Sequence, residues 1–205
     1  MVRTAILARF RADWLSGALP MVVEHRSDDH ESLCASPSLW MGGRAHLEHL
    51  KSLDVGPGTT VHFRGPVSIG FVQGLVACLR VGAAVDLRAE GSSDSSVRFD
   101  GQRFERVGSD LPDTGHELAW IAPDGGRLGR SQLDELAVEL AREHDLSEGC
   151  RVQTGLPHLD LEDSVAGVVA PLWARCELHT LMDAEAHNTA LYQQSPPHLV
   201  FPRRP

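Results

Sequence analysis

The feature that most constrains the fold is an internal repeat. Residues 39–87 and 131–181 follow one plan: an amphipathic helix, a glycine turn, a short strand, a proline, a second apolar helix and a second strand. Gly58 aligns with Gly149, Val61 with Val152 and Pro66 with Pro157 at one offset. Gly74 aligns with Gly167 and Leu79 with Leu172 at an offset two residues longer, which implies a small insertion. Two copies suit a duplicated α/β half-domain, because a solenoid needs at least three units to bury its faces. Strands separated by such helices predict parallel pairing, right-handed crossovers and helices on both faces. The expected fold is therefore α/β, with two tandem βαβ-type lobes forming a mainly parallel sheet. Its organisation is one domain of 205 residues: lobe one over about 1–90, a hairpin or linker over 91–116, and lobe two over 117–205.

The periodicity places helices at Thr4–Leu15, Leu39–Leu53 and from Ser131 onward, the last with Asp134 as a capping partner. Gly56-Pro57-Gly58 stops the second of these. Ser68 caps a helix ending at Gly82, and strands are expected at Pro20–Val23, Val61–Arg64, Ala84–Leu87 and Glu117–Ala122. The stretch RSDDHES reads as polar loop, Asp100-Gly101 as a two-residue hairpin turn, Gly91–Ser96 as a linker, and HLVF near the end as a last strand.

Charge and composition narrow the function. A net charge of -9 opposes a nucleic-acid binder, which needs clustered cations, and only the Arg203-Arg204 tail is locally basic. Among 19 Lys and Arg, Lys51 is the single lysine, so lysine chemistry has one candidate. Charged residues interrupt the first twenty positions, as in no signal peptide, and no stretch reaches the roughly 18 apolar residues of a membrane span. A cytoplasmic protein is expected. Cys34, Cys78, Cys150 and Cys176 are isolated in sequence and read as reduced thiols. His46 and His49 share a helix face without a third ligand at metal-site spacing, so no metal site is assigned.

The loop Ala122–Arg130 leaves an apolar strand and enters a helix. A glycine-rich loop at a helix start presents N–H groups to phosphate, which makes Asp124, Gly125, Gly126, Arg127, Gly129 and Arg130 the candidate phosphate-binding residues. It matches neither the Walker motif nor GxGxxG, and the same composition also makes an ordinary turn.

These segments together resemble the N-terminal region of the adenylate-forming superfamily, the acyl-CoA synthetases, adenylation domains and luciferases. The family's "GV-x-x-GD-x-V" turn and its helix ending "A-x-L-x-x-GA" are matched by DVGPGTTVHF (Asp54–Phe63) and GLVACLRVGAAVDL (Gly74–Leu87). Its strand, phosphate loop, helix, "L-x-x-GD-x-V", "P-x-x-H" and "PL-x-x-G" are matched by ELAWIAPDGGRLGRSQL, DLSEGCRV, Leu156-Pro157-His158 and VVAPLWARCEL. The resemblance covers about residues 20–181. It implies ATP or AMP with magnesium as the cofactor to test, and His158 as a residue on the substrate side.

The departures bear on activity. Where the family carries a Ser/Thr/Gly loop followed by Pro-Lys, this chain has Pro123-Asp124-Gly125-Gly126-Arg127, without hydroxyl or lysine donors, and Asp124 would repel phosphate. The family's later regions, with its catalytic lysine, have no counterpart here. The expectation is a truncated, non-catalytic domain of binding or interaction role, forming a homo-oligomer or meeting a protein partner over an uncovered edge. The alternative is part of a split acyl-adenylate-forming ligase completed by another polypeptide.

Overall fold

The computed structural model describes residues 7–8, 11, 21–88, 97–108, 115–154, 160–183, 185–194 and 196–201. The α/β reading holds, with mainly parallel strands and helices on both faces, but the strands divide between two sheets. Sheet A has five strands in the order β11-β9-β10-β1-β2, and sheet B six in the order β6-β5-β3-β4-β7-β8. In sheet A these are β1 (Met21–Arg26), β2 (His30–Ala35), β9 (Arg151–Thr154), β10 (Glu177–Leu181) and β11 (Leu199–Phe201). In sheet B they are β3 (Thr60–Phe63), β4 (Ala84–Asp86), β5 (Val97–Phe99), β6 (Phe104–Arg106), β7 (Leu118–Ile121) and β8 (Arg127–Gly129).

The two repeat copies contribute one parallel pair each, β3 with β4 in sheet B and β9 with β10 in sheet A. Sheet A also draws on the other end of the chain, where β1 lies parallel to β10, while sheet B gathers strands from the middle of the chain and sets β7 parallel to β4. One continuous apolar core joins everything, from Val22 and Leu178 in sheet A through Leu75 and Val76 to Val85 and Trp120 in sheet B.

The helices are α1 (Ser36–Ser52), α2 (Ile69–Val81), α3 (Arg130–Glu143), α4 (Leu161–Ser164), α5 (Ala170–Ala174) and α6 (Ala190–Gln194); a π turn, Val165–Val169, joins α4 to α5. Helix α2 starts where the sequence places it: Ser68 Oγ accepts from Phe71 N at 3.0 Å. It ends at Gly82, whose φ of 86° is a left-handed cap. Val72, Leu75, Val76 and Leu79 are buried along it, each stabilising the fold by about 1.5–3 kcal/mol.

Four expectations change. RSDDHES is not all loop: Ser27–Asp29 is a tight turn, and His30–Ala35 returns as β2 antiparallel to β1. Helix α3 opens at Arg130 instead of Ser131, and its cap is Gln132 Oε1 accepting from Gly129 N at 2.9 Å in place of an Asp134 box. The β5–β6 hairpin closes with four residues, because Phe99 pairs with Phe104 and Asp100 Oδ1 accepts from both Gln102 N and Arg103 N at 2.9 Å. A further strand, β8, occupies part of the glycine-rich loop. The linker Gly91–Ser96, Leu156-Pro157-His158 and most of the Thr4–Leu15 helix lie outside the described residues, although Leu7, Ala8 and Arg11 are helical.

Candidate functional site

Strands β3, β4, β5 and β7 run parallel, so their carboxyl ends share one side of sheet B, the side where ligands bind in α/β sheets. At the end of β4, the fully buried Asp86 takes Arg88 in a bidentate grip. Asp86 Oδ1 accepts from Arg88 N and Nε at 3.0 Å, and Oδ2 accepts from Nη2 at 2.7 Å. His62 Nε2 donates to Arg88 O at 2.6 Å, which fixes the proton on Nε2. Leu87 N donates to Ile121 O at 2.9 Å, tying this end of β4 to β7. The cation nearest the end of β4 is thus held by its own strand.

The glycine-rich segment is a closed hairpin. Strand β7 turns through Ala122–Gly126 into β8, which runs back antiparallel with Ile121 opposite Arg127 and Leu118 opposite Gly129. Within the turn, Gly125 N donates to Ala122 O at 2.9 Å, Ala122 N donates to Gly126 O at 2.8 Å, and Gly126 N donates to Asp124 Oδ1 at 2.9 Å. Gly125 has φ of 89°, the left-handed conformation that glycine takes without strain. Asp124 therefore acts as the turn's clasp, consuming an amide that a phosphate would need. A Cβ on Gly126 would stand 3.1 Å from Asp124 Oδ1 and 3.2 Å from Leu161 Cβ, so α4 closes in on the turn.

The helix behind the loop starts at the other end of the sheet. Strand β8 carries the chain roughly 10 Å, three residues of extended backbone, from the turn before α3 begins. The turn and the positive helix end, which the sequence suggested would act together, are separated. Gly129 N is engaged by Gln132. Arg130 is 6% exposed and donates to three backbone carbonyls: Nη2 to Gly82 O and, at 3.4 Å, to Leu118 O, and Nε to His116 O at 3.3 Å. Burial pushes its guanidinium pKa below the ordinary value, with Glu117 opposing. Arg130 thus fastens α2 to β7, while Arg127 is exposed on β8. The start of α2 is also occupied: Ile69 N donates to Glu24 Oε1 at 2.6 Å. His158 lies outside the described residues.

The sequence did not signal a second polar cluster on the outer face of sheet A. His25 Nε2 and His179 Nδ1 lie 2.8 Å apart, both almost fully buried. Glu31 stands 3.1 Å from His25 Nδ1, Glu177 3.4 Å from His179 Nε2, and Tyr192 meets the His25 ring edge-on at 5.2 Å. Burial lowers the pKa of both imidazoles, and the two glutamates oppose it. The pair comes from strands 154 residues apart, brought together by the β1–β10 register. His46 and His49 pack edge-on against Phe104 at 5.4 and 6.4 Å, and no metal-binding group of three or more His, Cys, Asp or Glu occurs among the described residues.

No family model and no curated protein matches this chain by sequence. Its fold, in contrast, is well represented among solved structures. CmiS6 superposes with a TM-score of 0.68 at 13% identity, over 98% of this chain and 62% of its own. The fatty acid AMP ligase from Legionella pneumophila gives 0.66 at 12%, over 93% and 41%. McyG A-PCP, complexed with phenylalanyl-adenylate, gives 0.63 at 12%, over 95% and 44%. The chain has the α/β fold of adenylate-forming domains, and it spans less than two thirds of each of these structures. At such identity the likeness is one of fold.

Proposed function

We propose that this chain is a non-catalytic adenylate-forming-like protein with a binding or interaction role. The hairpin turn carries the reading. Its Gly125 and Gly126 amides are bonded within the turn, its acidic residue is the clasp, and Arg130 behind it is a buried structural clamp. The one lysine, Lys51, is on α1 and pairs with Glu48 at 2.7 Å. A phosphate entering this turn would displace Asp124 and meet its charge, with the exposed Arg127 as partial compensation. The partner is a second copy of the chain, recruited along β2, an edge strand of sheet A with Leu33 63% exposed.

The second reading is one part of a split acyl-adenylate-forming ligase, favoured by the 41% of the Legionella ligase that the chain spans. ATP–pyrophosphate exchange with a panel of carboxylic acids separates the two. The proposal expects no exchange above background. Exchange by this chain, alone or with an added polypeptide, that Arg127→Ala abolishes would establish the ligase reading.

A further inference from the structure

Two of the four cysteines, isolated in the sequence, are brought together by the register of sheet A. Strands β9 and β10 pair in parallel from Arg151 opposite Glu177, so the residues just before them, Cys150 and Cys176, stand side by side. Two backbone bonds stitch this end: Gly149 N donates to Arg175 O at 3.3 Å, and Glu177 N donates to Cys150 O at 2.8 Å. Each strand is entered through a left-handed residue, Gly149 with φ of 80° and Arg175 with φ of 65°, so the two cysteines hold the same place in matching turns. Side chains alternate along a strand, and the next pair on the same face, Val152 opposite Leu178, is fully buried. Both thiols therefore lie on the core side of the sheet. Neighbouring strands run about 4.8 Å apart, inside the roughly 4.4–6.8 Å between Cα atoms that a disulfide spans.

The two thiols differ in access. Cys176 is fully buried, its Sγ donates to Ser147 O at 3.4 Å, and its thiol is in hydrogen-bond contact with that of Cys150. Burial, and after it the Cys150 thiol, pushes the Cys176 thiol up to about 12, so Cys176 does not start a reaction with a solute. Cys34 and Cys78 are buried, and burial raises both. Cys150, half-buried, is the entry point.

We propose that Cys150 and Cys176 form a reversible redox-modification site that reacts with small-molecule disulfides of the glutathione class. The Cys150 thiolate attacks one sulfur of the small disulfide, which forms a mixed disulfide and releases one thiolate. Cys176 then loses its proton, attacks the Cys150 sulfur, closes the Cys150–Cys176 bond and releases the second. Each departing thiolate takes up one of the two protons the cysteines lose. Both cysteine sulfurs are thereby oxidised, and one small disulfide is reduced to two thiols. The product ties the amino ends of β9 and β10 together beyond their hydrogen-bond ladder, and it is independent of the hairpin turn.

The test is incubation of the folded full chain with glutathione disulfide at mildly alkaline pH, with thiols counted and located by mass spectrometry. Loss of two of the four free thiols, a linked peptide containing Cys150 and Cys176, and full reversal by dithiothreitol are expected. Cys176→Ser should stop at a glutathione adduct on Cys150, and Cys150→Ser should leave Cys176 unmodified. A second measurement needs neither variant nor oxidant: phenylarsine oxide, which condenses with two adjacent thiols and releases water, should slow alkylation of Cys150 in the native chain at least about tenfold. A glutathione adduct on native Cys150 that never closes, a link that involves Cys34 or Cys78, or no loss of thiols in the folded chain overturns the proposal. So does alkylation of Cys150 that phenylarsine oxide leaves unchanged.

Discussion

At the scale of single residues, Gly70 shows how closely the elements are fitted. It opens the first turn of α2, directly under the β5–β6 hairpin, and an added Cβ would come within 1.9 Å of Gly101 O. Alanine gains helix propensity of about 1 kcal/mol over glycine, but the clashing atom is backbone and cannot swing away. Gly70→Ala is therefore expected to destabilise by about 1–3 kcal/mol net, measured by urea denaturation. Unchanged or raised stability would mean that the hairpin does not rest on α2. Arg130 is the second case. Arg130→Met keeps an apolar stem but strips the donor from Gly82, His116 and Leu118 carbonyls, with an expected loss of about 2–3 kcal/mol. Were Arg130 a phosphate ligand, the same variant would leave stability nearly intact.

At the scale of elements, legibility followed how local the signal is. Helix α2 was readable because a cap, an apolar face and a terminating glycine all lie within fifteen residues. Strands β3, β4 and β7 were readable as apolar runs between turn residues. Strand β2 was not, since HESLCA has no β-branched or aromatic residue and is held by pairing with β1. Strand β8 was missed for a related reason: Arg127-Leu128-Gly129 is too short to show alternation, yet it moves the start of α3 away from the turn. That one element changes the geometry of the candidate site: glycine content suggested a phosphate cradle at a helix start, whereas the chain folds there as a hairpin turn in which Asp124 Oδ1 accepts from Gly126 N, away from the start of α3. The division into two sheets was illegible because β1 with β10 and β4 with β7 are long-range pairings.

The His25–His179 pair belongs to the same class of long-range features, and it carries a pH dependence. Both folded-state pKa values are lowered from the ordinary 6.5 by burial. The unfolded chain therefore takes up protons near pH 6.5 that the folded chain does not. The pair's contribution is complete above that pH and is lost as pH falls through it toward the lower folded values. The thermal unfolding midpoint should drop between about pH 8 and about pH 5. The drop should be smaller in His179→Gln, which retains hydrogen-bonding capacity without a titrating imidazole. A midpoint that rises on acidification would show instead that the fold captures a proton between Glu31 and Glu177.

At the scale of the whole molecule, the two sheets share one core and differ in what their margins expose. Leu33 on β2 and Val200 on β11 stand exposed at opposite edges of sheet A. If β2 pairs with its counterpart in a second chain, light scattering will give a dimer mass that Leu33→Lys reduces to the monomer. A monomer at all concentrations would remove the second copy as the partner. Among the described residues, no helix is long and apolar enough to cross a membrane.

The proposed non-catalytic role requires that the hairpin turn Ala122–Gly126 stay closed to phosphate. Calorimetric titration with ATP and with AMP in the presence of magnesium puts this to the test, comparing the native chain with Arg127→Ala and Gly126→Asp. No saturable heat at millimolar nucleotide from any of the three is the predicted result. Saturable binding to the native chain that both variants lose would contradict it, because the Asp124–Gly126 turn would then open to hold phosphate.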